Sequence, residues 1–281
     1  MRLETPTHSP GFDHISKKQE NMFADFATSI DGTRIAYEIT GSGPAVVLLH
    51  GGAQSRQTWR AAGYLDKLSS NFTVLTMDFR GHGDSDKPAS VEAYGIERHC
   101  QDILSVADHA GIERFSLWGY SFGANTGRYL AAESERVARF VMVGVPFGPG
   151  ASGDFRRMVM GVRNRWIPIL RAQSEGTLDL ESLTDPERAY LQSSRAQHEV
   201  PWLTAMLDWR EIVPAQLLCP TLWILGGKNS VALENARSIG SALANSKVSL
   251  CTIDGLTHEM EMSDIDNVLP RVQEFIRNTP E

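Results

Sequence analysis

Five residues constrain this chain more than any others. Gly119-Tyr120-Ser121-Phe122-Gly123 sets one serine between two glycines, directly after the apolar run at residues 115–118. A strand over residues 114–118 that turns abruptly into a helix over 122–133 forces the serine into a strained backbone conformation and holds its oxygen clear of its neighbours. Flanking glycines permit that tight approach. G-x-S-x-G alone arises by chance in many proteins, so its weight rests on the segments before and after it.

Those segments carry the parts that acyl-transfer chemistry needs. Residues 45–49 are wholly apolar and end in His50-Gly51-Gly52-Ala53, which reads as a buried parallel strand opening into a glycine turn able to aim a backbone N–H at an oxyanion. Residues 248–253 predict a last strand, followed by Asp254-Gly255-Leu256-Thr257-His258. His258 therefore sits on a loop past a strand end. An imidazole with a pKa near 6.5 can lift a serine proton and later deliver it to a leaving group at neutral pH. A lone loop histidine is usually only solvated, and the order glycine turn, serine, histidine favours catalysis here.

The rest of the chain alternates strand and helix. Strands are expected at 26–29 and 34–39, joined by the turn signal Asp31-Gly32, then at 72–77, 137–145 and 221–225; helices are expected at 96–110, 233–244 and 264–277. Gly41-Ser42-Gly43-Pro44 lacks the Gly-Lys-Ser/Thr ending of a phosphate loop and precedes a strand, so it reads as a linker. Such alternation implies a mostly parallel sheet covered by helices on both faces. After Phe147 the alternation gives way to a helical stretch containing Trp166, Leu170, Tyr190, Trp202, Met206 and Trp209, ending near Pro214. Taken singly, these side chains read as that segment's own core. Together they suggest an apolar lid over the serine, with Trp202, Met206 and Trp209 as pocket walls.

Composition sets bounds. With 281 residues and 42% hydrophobic content, the chain can bury one large α/β core plus an insertion. A net charge of −7 without a basic stripe argues against a nucleic-acid surface. No apolar run approaches the roughly twenty residues of a membrane span and the amino end lacks an apolar leader, so a cytoplasmic protein without a membrane is expected. Cys100, Cys219 and Cys251 read as small buried hydrophobes. Residues 1–20 read as a loosely ordered arm whose His8 and His14 are solvated. His99, His109 and His198 lack ligand spacing, and His258-Glu259-Met260-Glu261-Met262 is not the H-E-x-x-H pattern, so neither metal nor cofactor is expected.

The His50-Gly51 turn, the segment Asp78-Phe79-Arg80-Gly81-His82-Gly83-Asp84-Ser85, the serine elbow and the Gly255 to His258 approach together resemble the capped α/β-hydrolases. The resemblance covers nearly everything after Phe26. It implies the α/β-hydrolase fold, with a core of residues 21–146 and 215–281 and a helical cap, 147–214, inserted between strands six and seven. It implies Ser121 as nucleophile, His258 as base, and the backbone N–H groups of Gly52 and Phe122 as oxyanion donors; His50 and His82 fall in family turns as structural residues. After strand seven the family usually reads Gly-x-x-Asp, whereas this chain reads Gly226-Gly227-Lys228-Asn229. The segment after strand six, Val143 to Phe147, has no carboxylate. Asn229 is the best-placed orienting residue, and Glu234, Asp208 and Asp254 remain alternatives. An amide there accepts the imidazole N–H but supplies no charge, a change that costs a serine protease about 10⁴ in turnover. The expected activity is therefore hydrolysis of a small, fairly apolar ester or lactone with a good leaving group. A non-hydrolytic lyase or cyclisation catalyst and a ligand receptor stand as rivals. Epoxide hydrolases and haloalkane dehalogenases carry an aspartate at the elbow, which disfavours those activities.

Overall fold

The computed structural model describes residues 24–277. The amino-terminal arm expected at 1–20, with His8 and His14, lies outside them. Eight strands form one sheet: β1 (Asp25–Thr28), β2 (Arg34–Gly41), β3 (Ala45–Leu49), β4 (Thr73–Met77), β5 (Phe115–Tyr120), β6 (Val137–Val143), β7 (Thr221–Gly226) and β8 (Val248–Ile253). Their order is β1-β2-β4-β3-β5-β6-β7-β8. The β1–β2 and β2–β4 pairs are antiparallel and the others parallel. This is the α/β-hydrolase fold.

β5 and β7 are buried at every position and β3 at all but its first, because helices cover both faces and leave no reason for polar alternation. On one face Leu117, Phe140 and Trp223 pack with Ile103, Val106, Tyr129 and Leu130 from the helices Ile96–His109 and Phe122–Glu133. On the other, Leu48, Trp118 and Ile224 meet Val268, Val272 and Ile276 of the helix Ile265–Arg277, where a four-residue spacing keeps the apolar stripe on the sheet. The chain leaves β3 toward β4 and leaves β5 toward β6, in opposite directions across the sheet. A crevice opens where neighbouring strands part in this way, and the glycine turn after β3 and the serine after β5 both lie at its mouth.

Between β6 and β7 run the helices Gly153–Ser174, Asp185–Gln192 and Ala196–Ala205. The ends of this insertion are clasped by reciprocal backbone bonds of 3.0 Å between Gly148 and Ile212. Ile169, Leu183, Leu191, Ala196 and Val200 give it a small core of its own, against which Trp166, Leu170 and Tyr190 pack. Trp202, Met206 and Trp209 differ: they join the sheet-face core. The single helix expected over 233–244 is two, Ser230–Ser238 and Gly240–Ala244. It starts earlier because Asn229 caps it, its side chain accepting from Ala232 N–H at 3.3 Å, and it breaks beside Gly240, a poor helix former. Among the described residues no helix is long and apolar enough to cross a membrane.

Candidate active site

Ser121 stands between β5 and the helix Phe122–Glu133 with φ 51° and ψ −116°, a conformation that costs a non-glycine residue about 1–3 kcal/mol and needs its surroundings to hold it. The neighbours do so. A Cβ at Gly119 would strike the Gly123 carbonyl and the Ala124 nitrogen, and one at Gly123 would strike the Leu49 and His50 carbonyls, so only glycine fits on either side. Ser121 N–H donates to Val143 O at 3.0 Å, which ties the elbow to β6. Its Oγ lies 3.0 Å from His258 Nε2.

His258 is held from both ends. Tyr120, the residue before the serine, stacks on the imidazole with ring centroids 5.2 Å apart and donates its hydroxyl to the His258 carbonyl at 2.9 Å. On the other ring nitrogen, His258 Nδ1 is 2.8 Å from Glu261 Oε2. The Glu261 carboxylate is fully buried and also accepts from Gly226 N–H at 2.6 Å. Glu261 lies on the short helix Met260–Ser263, one turn beyond the histidine.

This corrects the expectation for Asn229. Its Oδ1 accepts from Ala232 N–H and its Nδ2 donates to Gly144 O at 3.0 Å, two backbone partners that fix which way the amide points. Toward the histidine it therefore presents only N–H groups: Nδ2 lies 3.4 Å from His258 Nδ1 and reaches Glu261 Oε1 at 3.0 Å and Oε2 at 3.2 Å. Asn229 supports the carboxylate, and the acceptor facing His258 Nδ1 is Glu261. Glu234, Asp208 and Asp254 are exposed and form no bond to the imidazole. Gly144, at the end of β6 with φ 82°, leaves the space that the pair fills. A Cβ there would lie 2.8 Å from both His258 Cε1 and Nδ1 and would strike the Glu261 carboxylate.

Gly52 and Phe122 meet across the crevice, a Cβ built on Gly52 falling 3.7 Å from Phe122 Cβ. Phe122 is the first residue of its helix, where the N–H has no intrahelical acceptor and faces outward. The Gly52 turn is set by Gly51 N–H donating to Gln54 Oε1 at 3.0 Å and by Ala53 at φ 56°. An ion pair between buried Arg56 and Asp78 links this turn to the loop after β4.

Three histidines behind the turn are held uncharged. His50 donates Nδ1–H to Gly51 O at 2.7 Å and accepts from Phe79 N–H at Nε2, 3.2 Å away; burial pushes its pKa down to about 4. His82 is pushed by burial to about 3, and His99, enclosed among Phe79, Phe122 and Trp209, falls well below the usual value for the same reason. His82 packs on Phe122 and on Trp202, with centroids 5.7 and 5.1 Å away. The Trp202 ring leans on Gly52, its Cη2 atom 3.1 Å from where a Cβ would stand. Trp209 lies against Phe122 and donates Nε1–H to Tyr94 O at 3.2 Å, while Met206 is buried next to Gly150. Among the described residues no three His, Cys, Asp or Glu side chains are grouped to hold a metal.

Residues 44–259 match the family model described as the alpha/beta hydrolase fold. The chain belongs to the alpha/beta hydrolase fold family. It is 31% identical over 149 residues to a putative 2-succinyl-6-hydroxy-2,4-cyclohexadiene-1-carboxylate synthase of Bacillus subtilis, an alignment covering 51% of this chain and 53% of that protein. It is also 31% identical over 184 residues to the bifunctional epoxide hydrolase 2 of Mus musculus, covering 63% and 32% of the two chains. These alignments span about a third to a half of the relatives' own length. Among solved structures, the enol-lactonase of Burkholderia xenovorans LB400 superposes with a TM-score of 0.67 at 22% identity, covering 90% of this chain and 100% of that one.

Proposed function

We propose that the protein is a cofactor-independent serine hydrolase that cleaves a small, fairly apolar carboxylic ester or lactone through an acyl-enzyme. One observation carries this reading: an unbroken relay from Ser121 Oγ to His258 Nε2 at 3.0 Å and from Nδ1 to the buried Glu261 carboxylate at 2.8 Å. Because Glu261 is an acceptor only, Nδ1 carries the proton and Nε2 presents its lone pair to the serine hydroxyl. Ser121 Oγ attacks the carbonyl as its proton passes to Nε2, and the imidazolium so formed is stabilised by Glu261. The Gly52 and Phe122 N–H groups receive the developing oxyanion. Collapse of the tetrahedral species sends the Nε2 proton to the leaving alkoxide, and a water activated by the same imidazole then releases the acid.

The amide at position 229 was what favoured lyase-type chemistry, and Glu261 removes that reason by supplying the missing charge. Serine at the elbow favours an acyl substrate over an epoxide. In the proposed division of the chain, residues 147–214 form a cap that places Trp202 over the glycine turn. The reading is tested by fluorophosphonate labelling together with turnover of p-nitrophenyl esters and lactones. Stoichiometric labelling at Ser121, abolished in Ser121→Ala, is expected, with turnover falling by orders of magnitude in Ser121→Ala and His258→Ala. Full activity in either variant would overturn the assignment.

A further inference from the structure

Among the buried polar atoms without a partner near the glycine turn are two on adjoining rings, His82 Nε2 and Trp202 Nε1. Both side chains are more than nine-tenths buried, at 5% and 6% exposure, and their rings are 5.1 Å apart at 49°. Leaving a buried polar atom unpaired costs about 1–3 kcal/mol, so two on adjoining rings call for a reason. Their chemistry is complementary. His82 Nδ1 lies 3.2 Å from the Arg80 carbonyl, which can only accept, so Nδ1 bears the proton and Nε2 is a bare acceptor. Burial keeps the ring neutral at physiological pH. The indole N–H of Trp202 can only donate.

A group that both donates and accepts can serve both atoms, and among the groups a small apolar acyl chain carries, an aliphatic hydroxyl does so, donating through its hydrogen and accepting at its oxygen. We propose that His82 Nε2 and Trp202 Nε1 form a polar subsite for a hydroxyl on the acyl part of the substrate, so that the preferred substrates are esters or lactones of hydroxy acids. This deepens, and rests on, the serine-hydrolase reading. The acyl side is indicated by position. His82 packs on Phe122 and Trp202 leans on Gly52, the two residues that face the carbonyl oxygen, whereas the alcohol departs toward His258, whose side chain is 44% exposed. A site built around a substrate hydroxyl rejects the analogue lacking it far more strongly than an apolar wall rejects a missing methylene.

The test compares kcat/KM for p-nitrophenyl butanoate with that for its 2-hydroxy and 3-hydroxy counterparts, in the wild type, His82→Phe and Trp202→Phe, with thermal melting to establish that each variant is folded. The wild type is expected to favour one hydroxy ester by at least about 30-fold, the lower end of what two unsatisfied buried groups cost, and the ratio is expected to fall toward one in either variant. Trp202→Phe keeps an apolar ring in place, so it reads the N–H alone if His82→Phe fails to fold. Calorimetric binding of 2- and 3-hydroxybutanoate against butanoate to Ser121→Ala reads the subsite without turnover. Hydrolysis without a hydroxyl preference, or a preference that survives in both variants, overturns the subsite and leaves the hydrolase reading standing. Preferential binding of a hydroxy acid by a protein that hydrolyses none of the esters overturns the hydrolase reading and leaves the subsite.

Discussion

Replacing Glu261 by glutamine is the sharpest single perturbation of the relay, because it changes charge and hydrogen-bond polarity while keeping shape. In the native site one carboxylate oxygen accepts from Gly226 N–H and Asn229, and the other from His258 Nδ1–H and Asn229. All these partners are donors. A glutamine amide must turn its own NH₂ toward either Gly226 or His258, so each orientation sets two donors against each other. With the NH₂ toward His258, the imidazole is driven to the other tautomer and its Nε2–H faces Ser121, which removes the base. With the NH₂ toward Gly226, the tautomer survives but the charge is gone. Opposite charges about 4 Å apart attract by about 4 kcal/mol at an effective dielectric of about 20, which corresponds to about three decades in rate. Glu261→Gln is therefore expected to lower kcat for p-nitrophenyl butanoate by about 10³–10⁴, with KM moved by less than about tenfold since no substrate contact is lost. Steady-state kinetics with active-site titration checks this. Retention of more than a tenth of wild-type kcat in Glu261→Gln, together with a large loss in Asn229→Ala, would refute the assignment and return the orienting role to Asn229.

Asn229→Asp sets a second carboxylate against the buried Glu261, so like-charge repulsion is expected to lower kcat by about tenfold or more; a pH–rate profile checks it, and a faster variant would count against the geometry. Gly144→Ala inserts a methyl between His258 and Glu261 at φ 82°, and is expected to cost at least about 100-fold in kcat while far-UV circular dichroism stays native. Buried His50, His82 and His99 have lowered pKa values in the fold, so below pH 6.5 the unfolded chain takes up protons that the folded chain refuses. Stability should fall as pH drops from about 6.5 toward 4, approaching about 1.4 kcal/mol per pH unit for each such histidine, and urea titrations between pH 7 and 5 should show His99→Leu with a shallower slope. Trp202→Ala is expected to change the acyl-chain preference in ester hydrolysis, whereas Trp209→Ala, buried and bonded to Tyr94 O, should mainly lower the melting temperature.

The sheet was legible because its strands are short apolar runs bounded by glycine, aspartate and proline; β5 and the helix after the serine fall within two residues of where their pattern puts them. The elbow was legible because its glycines answer a local steric demand. Glu261 was not, because a carboxylate in the resembled family follows β7 or β6, and the pattern of residues 258–262 matches no familiar ligand or acid motif. The signal was present: a histidine and a glutamate three apart fall on one side of a helical turn. Asn229 was placed at the site but given the wrong polarity, since which way its amide points depends on Ala232 and Gly144, and neither contact can be read from spacing. The pairing of Trp202 with His82 joins residues 120 positions apart in the chain, and no periodicity reports on such a contact.

The proposed base and the carboxylate bonded to it lie within four consecutive residues, 258–261, rather than on two loops brought together by the sheet. The relay is thus close to portable: a single peptide carries both members in their relative geometry, and the host need supply only a glycine N–H where Gly226 stands, an amide where Asn229 stands, and an unfilled position at 144. The loop after β7 is released from bearing a catalytic charge, and the tolerance of position 229 for other neutral donors becomes a property that saturation mutagenesis can read directly.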